Sequence, residues 1–138
     1  YIEDQPEGWH VWRYANNSVE SECHYEAGVK SGRWRDFYNN RQLKRERTYV
    51  DGLRVGKDRT YFENGVLQFE ASYDHGVLNG LVFEWHPNGI LKRATPYTEG
   101  QIDGAEEFFD PRLMKRREIQ WRRDYPVSDL NFLFGAHP

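Results

Sequence analysis

A single cysteine, Cys23, stands in the 138 residues. No disulfide can form within the chain, and a reducing, cytoplasmic setting is the expectation. No apolar run reaches the 18 or so residues that a membrane-spanning helix needs, so no transmembrane segment is expected. No signal-peptide pattern is present either. Neither sign of charge dominates: the formal net charge is −3 and the pI about 6.0. Such a chain has no general attraction to nucleic acid, which is not an expected partner.

Catalytic and cofactor patterns are also scarce. His10, His24, His75, His86 and His137 show no metal-ligand spacing, so no metal site is expected. The glycines do not open a helix with a phosphate-binding fingerprint, and no cofactor is expected. Cys23 and His24 are neighbours, but neighbours on a strand point to opposite faces and cannot act together. Glu22, Glu46 and Glu70 form one column of carboxylates. Two strands apart, such residues are roughly 9–10 Å from each other. That separation alone does not exclude a glycosidase pair, with a solvated face as the plain alternative. The expectation is a protein without catalytic residues.

What the chain has is a period. Gly8, Gly32, Gly56, Gly80 and Gly104 recur at one fixed step of twenty-four positions. Gly28, Gly52, Gly76 and Gly100 keep the same step, as do Tyr25, Tyr49, Tyr73 and Tyr97, and Asn16, Asn40, Asn64 and Asn88. Self-similarity at a fixed period marks a repeat architecture, which offers an extended surface. Thr60-Tyr61-Phe62 has strand propensity. Asn64-Gly65 then signals a hairpin, with a type I′ turn expected because both its central residues need positive φ. Val66 to Tyr73 returns, and Asp74-His75-Gly76 turns the chain again. Asn17 and Arg41 stand where Gly65 and Gly89 stand in the other copies. Arginine tolerates left-handed geometry poorly, so a different turn is expected at Arg41.

Leu43, Leu67 and Leu91 precede Tyr49, Tyr73 and Tyr97 by a constant, even offset. An even offset puts the two columns on one face of a strand. Phe37, Tyr61, Trp85 and Phe109 form a further column, and Tyr14, Tyr38 and Phe62 the adjacent one. Aromatics make up 16% of the residues, enough to supply burial between neighbouring copies. No helix is expected in residues 8–103, because glycine interrupts every window long enough to hold one.

The fold class read from this pattern is all-β. It is an elongated, single-layer antiparallel β-meander of hairpin repeats, twisted into a trough. The expected organisation is a lead-in over 1–7 and copies over 8–31, 32–55, 56–79 and 80–103. A degenerate fifth copy covers 104–127 and a tail 128–138. In the fifth copy Trp121 takes the tyrosine position and Asp124 the glycine position. Leu113 to Arg123 is read as either strand or short helix, ended by Pro126. The apolar segment Leu130 to Phe134 either packs back on the sheet or docks elsewhere.

The pattern Tyr61-Phe62-Glu63-Asn64-Gly65-Val66-Leu67 with Tyr73, Gly76 and Gly80 resembles the MORN repeat. Trp85, Asn88-Gly89-Ile90-Leu91, Tyr97, Gly100 and Gly104 repeat it. The similarity is greatest to the bacterial variant in YwqK-type proteins, often labelled antitoxins. It covers about residues 8–109. The resemblance implies a scaffold: some such proteins bind proteins, some bind lipid headgroups, and some flank a catalytic domain. It carries no catalytic motif.

Three functional readings follow. The first is a non-catalytic protein-binding module, antitoxin- or immunity-like, whose partner is another protein such as a toxin or effector. Its contacts would be Phe37, Tyr61 and Trp85, supported by Arg35 and Arg59, because aromatics and arginine dominate interface energetics. The tyrosine column is the alternative binding face. The second reading is a peripheral scaffold for anionic lipid, using Arg112, Lys115, Arg116, Arg117, Arg122 and Arg123. The third is the accessory region of an enzyme whose catalytic part is absent.

Overall fold

The computed structural model describes residues 5–112 and 114–131. The strands are β1 (Gly8–Arg13), β2 (Val19–Glu26), β3 (Val29–Lys30), β4 (Gly32–Phe37), β5 (Leu43–Val50), β6 (Leu53–Tyr61) and β7 (Leu67–Asp74). They continue as β8 (Val77–Leu78), β9 (Gly80–Trp85), β10 (Leu91–Thr98), β11 (Gln101–Ile102), β12 (Gly104–Phe109), β13 (Lys115–Arg122) and β14 (Tyr125–Asn131). All belong to one antiparallel sheet. Its path is β1-β2-β4-β5-β6-β7-β9-β10-β12-β13-β14, with β3, β8 and β11 as short flaps on β2, β7 and β10. Apart from these flaps, each strand pairs with the next along the chain, so the sheet is the meander that the period requires. No helix occurs among the described residues.

Two kinds of turn alternate, and the Asn-Gly loop is not of the expected type. At Asn64-Gly65 only Gly65 has positive φ (87°). The Gly65 N–H donates to the Phe62 carbonyl at 2.9 Å, and the Phe62 N–H to the Val66 carbonyl at 2.8 Å. This is a type I turn followed by one left-handed residue, the commonest three-residue hairpin loop, not a type I′ turn. The Asn64 side chain accepts from the Val66 N–H at 2.9 Å, which explains asparagine before the left-handed position. The type I′ pairs lie in the other loop, at Ala27-Gly28, Asp51-Gly52, His75-Gly76 and Glu99-Gly100, where both residues have positive φ. Arg123-Asp124 adopts the same geometry without glycine.

Arg41 is a second correction. Its φ is 74°, close to the 87° of Gly65 and Gly89, so the turn type is unchanged. The loop keeps the same two backbone bonds, between Tyr38 and Gln42 and between Arg41 and Tyr38, and the arginine is held in a conformation that disfavours an L-residue by roughly 1–2 kcal/mol.

The leucine and tyrosine columns do not share a face. Leu43 sits opposite Phe37 and Arg45 opposite Asp36, leaving Lys44 as an extra residue. Gln68 and Lys92 are extra in the same way. Each bulge inverts the parity between leucine and tyrosine. One side, the tyrosine face, therefore carries Tyr25, Tyr49, Tyr73 and Tyr97 with Trp12 and Trp34. The other, the leucine face, carries Leu43, Leu67 and Leu91 with Phe37, Tyr61 and Trp85. Most of the buried side chains, Cys23, Arg47, Asp58, Ala71, Thr95, Glu106 and Ile119, lie on the tyrosine face.

Copies are joined by bonds that span almost one full period. The Gly52, Gly76 and Gly100 N–H groups donate to the carbonyls of Lys30, Arg54 and Leu78 at 3.0, 2.7 and 2.7 Å. At the other end Tyr14 Oη donates to the Phe37 carbonyl and Tyr38 Oη to the Tyr61 carbonyl, both at 2.6 Å. His86 Nε2 takes the same role toward the Phe109 carbonyl at 3.1 Å. Phe62, in the intervening copy, has no group to donate. Tyr38→Phe is expected to destabilise the fold by about 1 kcal/mol, and Phe62→Tyr to offset part of it. Urea unfolding checks both, and an unchanged midpoint in Tyr38→Phe would show that the hydroxyl bond contributes nothing.

At the C-terminal end β13 is strand, which settles the two readings of that segment. Pro126 does not end it but is the second residue of β14, opposite Trp121 at a register shift. An edge strand beside a bulge is where proline is tolerated. β14 begins inside the expected fifth copy and runs beyond 127 to Asn131. Phe132 to Phe134, part of the expected packing or docking tail, and Leu113 lie outside the described residues.

Candidate functional surface

The tyrosine face is an ion ladder set among rings. Asp36 accepts from Arg47 at 2.8 Å and also from the Ser21 hydroxyl. Asp58 accepts from Arg45 at 2.8 Å and from Arg54 at 3.0 Å. Glu106, only 1% exposed, accepts from Arg93, Thr95 and Trp121. Burial would raise the carboxyls of Asp36 and Asp58. Hydrogen bonds and positive charge outweigh it, from Ser21, Arg47 and Trp34 at Asp36 and from Arg45 and Arg54 at Asp58, and both stay below the usual carboxylate range. Trp12 stacks on Trp34 with centroids 6.3 Å apart. Lys30 lies 4.4 Å over Trp34 and 5.0 Å over Tyr49, and Arg54 lies 4.3 Å over Tyr73. Cation and ring thus satisfy each other within the sheet. Most of the protein's buried side chains lie on this face, and Trp12 is exposed at its β1 edge.

The leucine face is more open. Trp9 is 62% exposed; Val11, Leu81 and Leu130 are exposed on the same face. Phe37, Tyr61 and Trp85 are half-buried and lie opposite Leu43, Leu67 and Leu91. Arg35 and Arg59 are on this face too, so the five residues expected at a partner surface are brought to one side of the sheet. The two arginines are engaged, however. Arg35 pairs with Glu22 at 2.8 Å and Arg59 with Glu70 at 2.7 Å. Glu46 faces Arg33 at 3.7 Å. Each carboxylate of the glutamate column therefore has an arginine partner. Burial would raise Glu70, but Arg59 and Lys57 hold it below the usual range, the opposite of what a general acid needs.

The six basic residues near the C-terminus are not gathered on one surface. Lys115 lies opposite Phe109 on the leucine face and Arg117 opposite Phe108 on the tyrosine face. Arg112 and Arg116 both reach Asp110, at 2.9 and 2.7 Å. Desolvation would raise Asp110, yet hydrogen bonds from these arginines and from the Arg112 and Met114 backbone hold it well below the ordinary carboxylate range. Lys115 bridges Glu107 and Glu118, and Arg117 pairs with Asp129 at 2.7 Å. Arg122 and Arg123 lie at the far end of β13, where Arg123 donates to Gln101.

Cys23 is buried on the tyrosine face opposite His10, whereas His24 faces the other way opposite Trp9. Burial pushes its thiol up, away from the thiolate that reactivity requires. Among the described residues no group of three His, Cys, Asp or Glu is placed to hold a metal. No helix among them is long and apolar enough to cross a membrane.

Sequence reasoning misses the ladder on the tyrosine face. Its trace is there: Arg45 and Arg93 are two periods apart, as are Asp58 and Glu106. Phe69 and Val82 replace the pair in the copy between. The ion pair thus recurs in alternate copies.

Two segments, residues 54–75 and 78–99, match the family model described as MORN repeat variant. They fall on the third and fourth copies. MORN repeats are in general non-catalytic interaction modules. A search of the curated proteins gives no match to the chain.

Proposed function

We propose that this chain is a protein-binding repeat module that holds a partner protein across its leucine face, in an antitoxin- or immunity-like role. The observation that supports it most is the asymmetry of the sheet. The tyrosine face is largely filled by its own ions and rings, with Trp12 exposed at its β1 edge, while the leucine face leaves Trp9, Val11, Leu81 and Leu130 exposed around the Phe37, Tyr61 and Trp85 column. Open apolar area rimmed by paired charges is what protein interfaces present. The lipid reading has less support, because most of the basic residues it needs are tied to carboxylates.

Trp85 is the test. It packs against Phe83 at 5.6 Å between ring centroids and is half-buried. As a binding anchor, Trp85→Ala is expected to weaken association with a partner captured from the native host by about 2 kcal/mol or more, leaving the melting temperature nearly intact. A stability loss of about 3–5 kcal/mol with affinity unchanged would place the column in the core and overturn the face assignment. Flotation with anionic vesicles, abolished by salt, would support lipid instead.

A further inference from the structure

At the N-terminal end of the leucine face an open cavity of about 320 Å³ lies between the first two three-residue loops, lined by Arg13, Asn17, Ser18, Val19, Phe37 and Arg41. Two departures from the repeat meet there. Arg13 occupies the position where later copies have Phe37, Tyr61, Trp85 and Phe109. Arg41 occupies the position where they have Gly65 and Gly89, and it keeps their left-handed φ at 74°. A glycine would relieve that backbone, so the loop itself gains nothing from arginine. Both arginines are exposed. Arg13 donates to the Asn17 carbonyl at 3.0 Å, but no carboxylate among the described residues pairs with Arg13 or Arg41. Val19 and Phe37 give the cavity half-buried apolar walls. Elsewhere on this face Arg33, Arg35 and Arg59 each have a glutamate. Here the positive charge is left open.

We infer that this cavity takes an apolar side chain bearing a neighbouring carboxylate from the partner protein. The apolar group rests on Phe37 and Val19, and the carboxylate accepts hydrogen bonds from the two guanidinium groups, which favour it in a forked geometry. The inference rests on the reading of the leucine face as a protein-binding surface and adds the chemistry of what it binds.

The probe is N-acetyl-leucine, with N-acetyl-leucinamide as the uncharged control, titrated into the full chain and followed by amide and arginine side-chain NMR signals. Saturable shifts at Arg13, Phe37 and Arg41 are expected with the acid, and at least tenfold weaker binding with the amide. Arg41→Gly is expected to weaken the acid at least tenfold while melting no earlier than the parent, which separates loss of the site from loss of the fold. Equal binding of acid and amide would overturn the inference, as would unchanged affinity in Arg41→Gly. If the captured partner binds Arg41→Gly normally but Trp85→Ala weakly, the carboxylate site falls and the protein-binding reading stands.

Discussion

Arg93→Met is expected to destabilise the protein by about 3 kcal/mol or more, although Arg93 is itself 42% exposed. The loss arises on the other partner. Glu106 is 1% exposed, and Arg93 donates to it from Nε at 2.8 Å, with a second guanidinium nitrogen 2.7 Å from the same oxygen. Without that charge, a buried carboxylate keeps, among the described residues, Thr95 Oγ1 at 2.7 Å and Trp121 Nε1 at 3.0 Å. Removing one partner of a buried pair leaves an uncompensated charge, which costs about 3–5 kcal/mol. Glu106→Gln in the Arg93→Met background removes the charge and is expected to restore much of the loss. The double-mutant cycle by urea unfolding therefore reads a large coupling. If Arg93→Met alone loses less than about 1 kcal/mol, an ordinary exposed pair, then the carboxylate is solvated and the tyrosine face is not a core.

The same pair shows where the sequence is legible and where it is not. The fixed period is plain because turns and bulges demand residues that few types supply: Gly76 and Gly100 recur for their φ of 85°. All-β architecture and consecutive strand pairing follow from that. The faces are not legible. A single bulge residue in each return strand, Lys44, Gln68 or Lys92, inverts parity, and nothing in residue type marks it. Reading Leu67 and Tyr73 as neighbours on one face follows from alternation, and alternation fails at a bulge. Arg93 and Glu106 come from different copies, so their meeting depends on register across β10 and β12, which comes only with the folded sheet. Asn64-Gly65 is a true turn signal that points to the wrong turn type. Both turn classes favour asparagine and glycine, and the loops are separated by which residues pair, not by composition.

For the candidate surface, the expectation of one aromatic column on one side agrees with the sheet. Its supporting arginines are paired, which their residue type and spacing alone do not show. Glu22 lies directly opposite Arg35 and Glu70 directly opposite Arg59, so register puts the carboxylates and the arginines on one side. The charge left without a carboxylate is at Arg13 and Arg41, which a search for agreement among copies passes over because both depart from it.

Gly76→Val is expected to destabilise the protein by about 3 kcal/mol, well beyond Asn79→Ala in the same connection. Gly76 has a φ of 85°, and a Cβ built there would stand 3.3 Å from Leu53 Cδ2. A β-branched residue is a genuine outlier in that backbone region. The left-handed term alone is about 1–2 kcal/mol, β-branching adds to it in this backbone region, and the end of Leu53 must give way slightly. The backbone strain is coupled to the neighbouring copy: the Gly76 N–H donates to the Arg54 carbonyl at 2.7 Å, and Arg54 is one of the two cations on the buried Asp58. Straining this turn therefore disturbs the neighbouring copy and the ion ladder together. Asn79 has less to lose. Its side chain accepts one long bond from the Glu99 N–H at 3.3 Å, in an exposed loop where water can replace it, so Asn79→Ala should fall below about 1 kcal/mol. Thermal melts of the two variants separate the cases. Equal losses would mean that the turn is not held in its left-handed pair by the adjacent copy, and that the stacked loops carry less of the stability than their bonding implies.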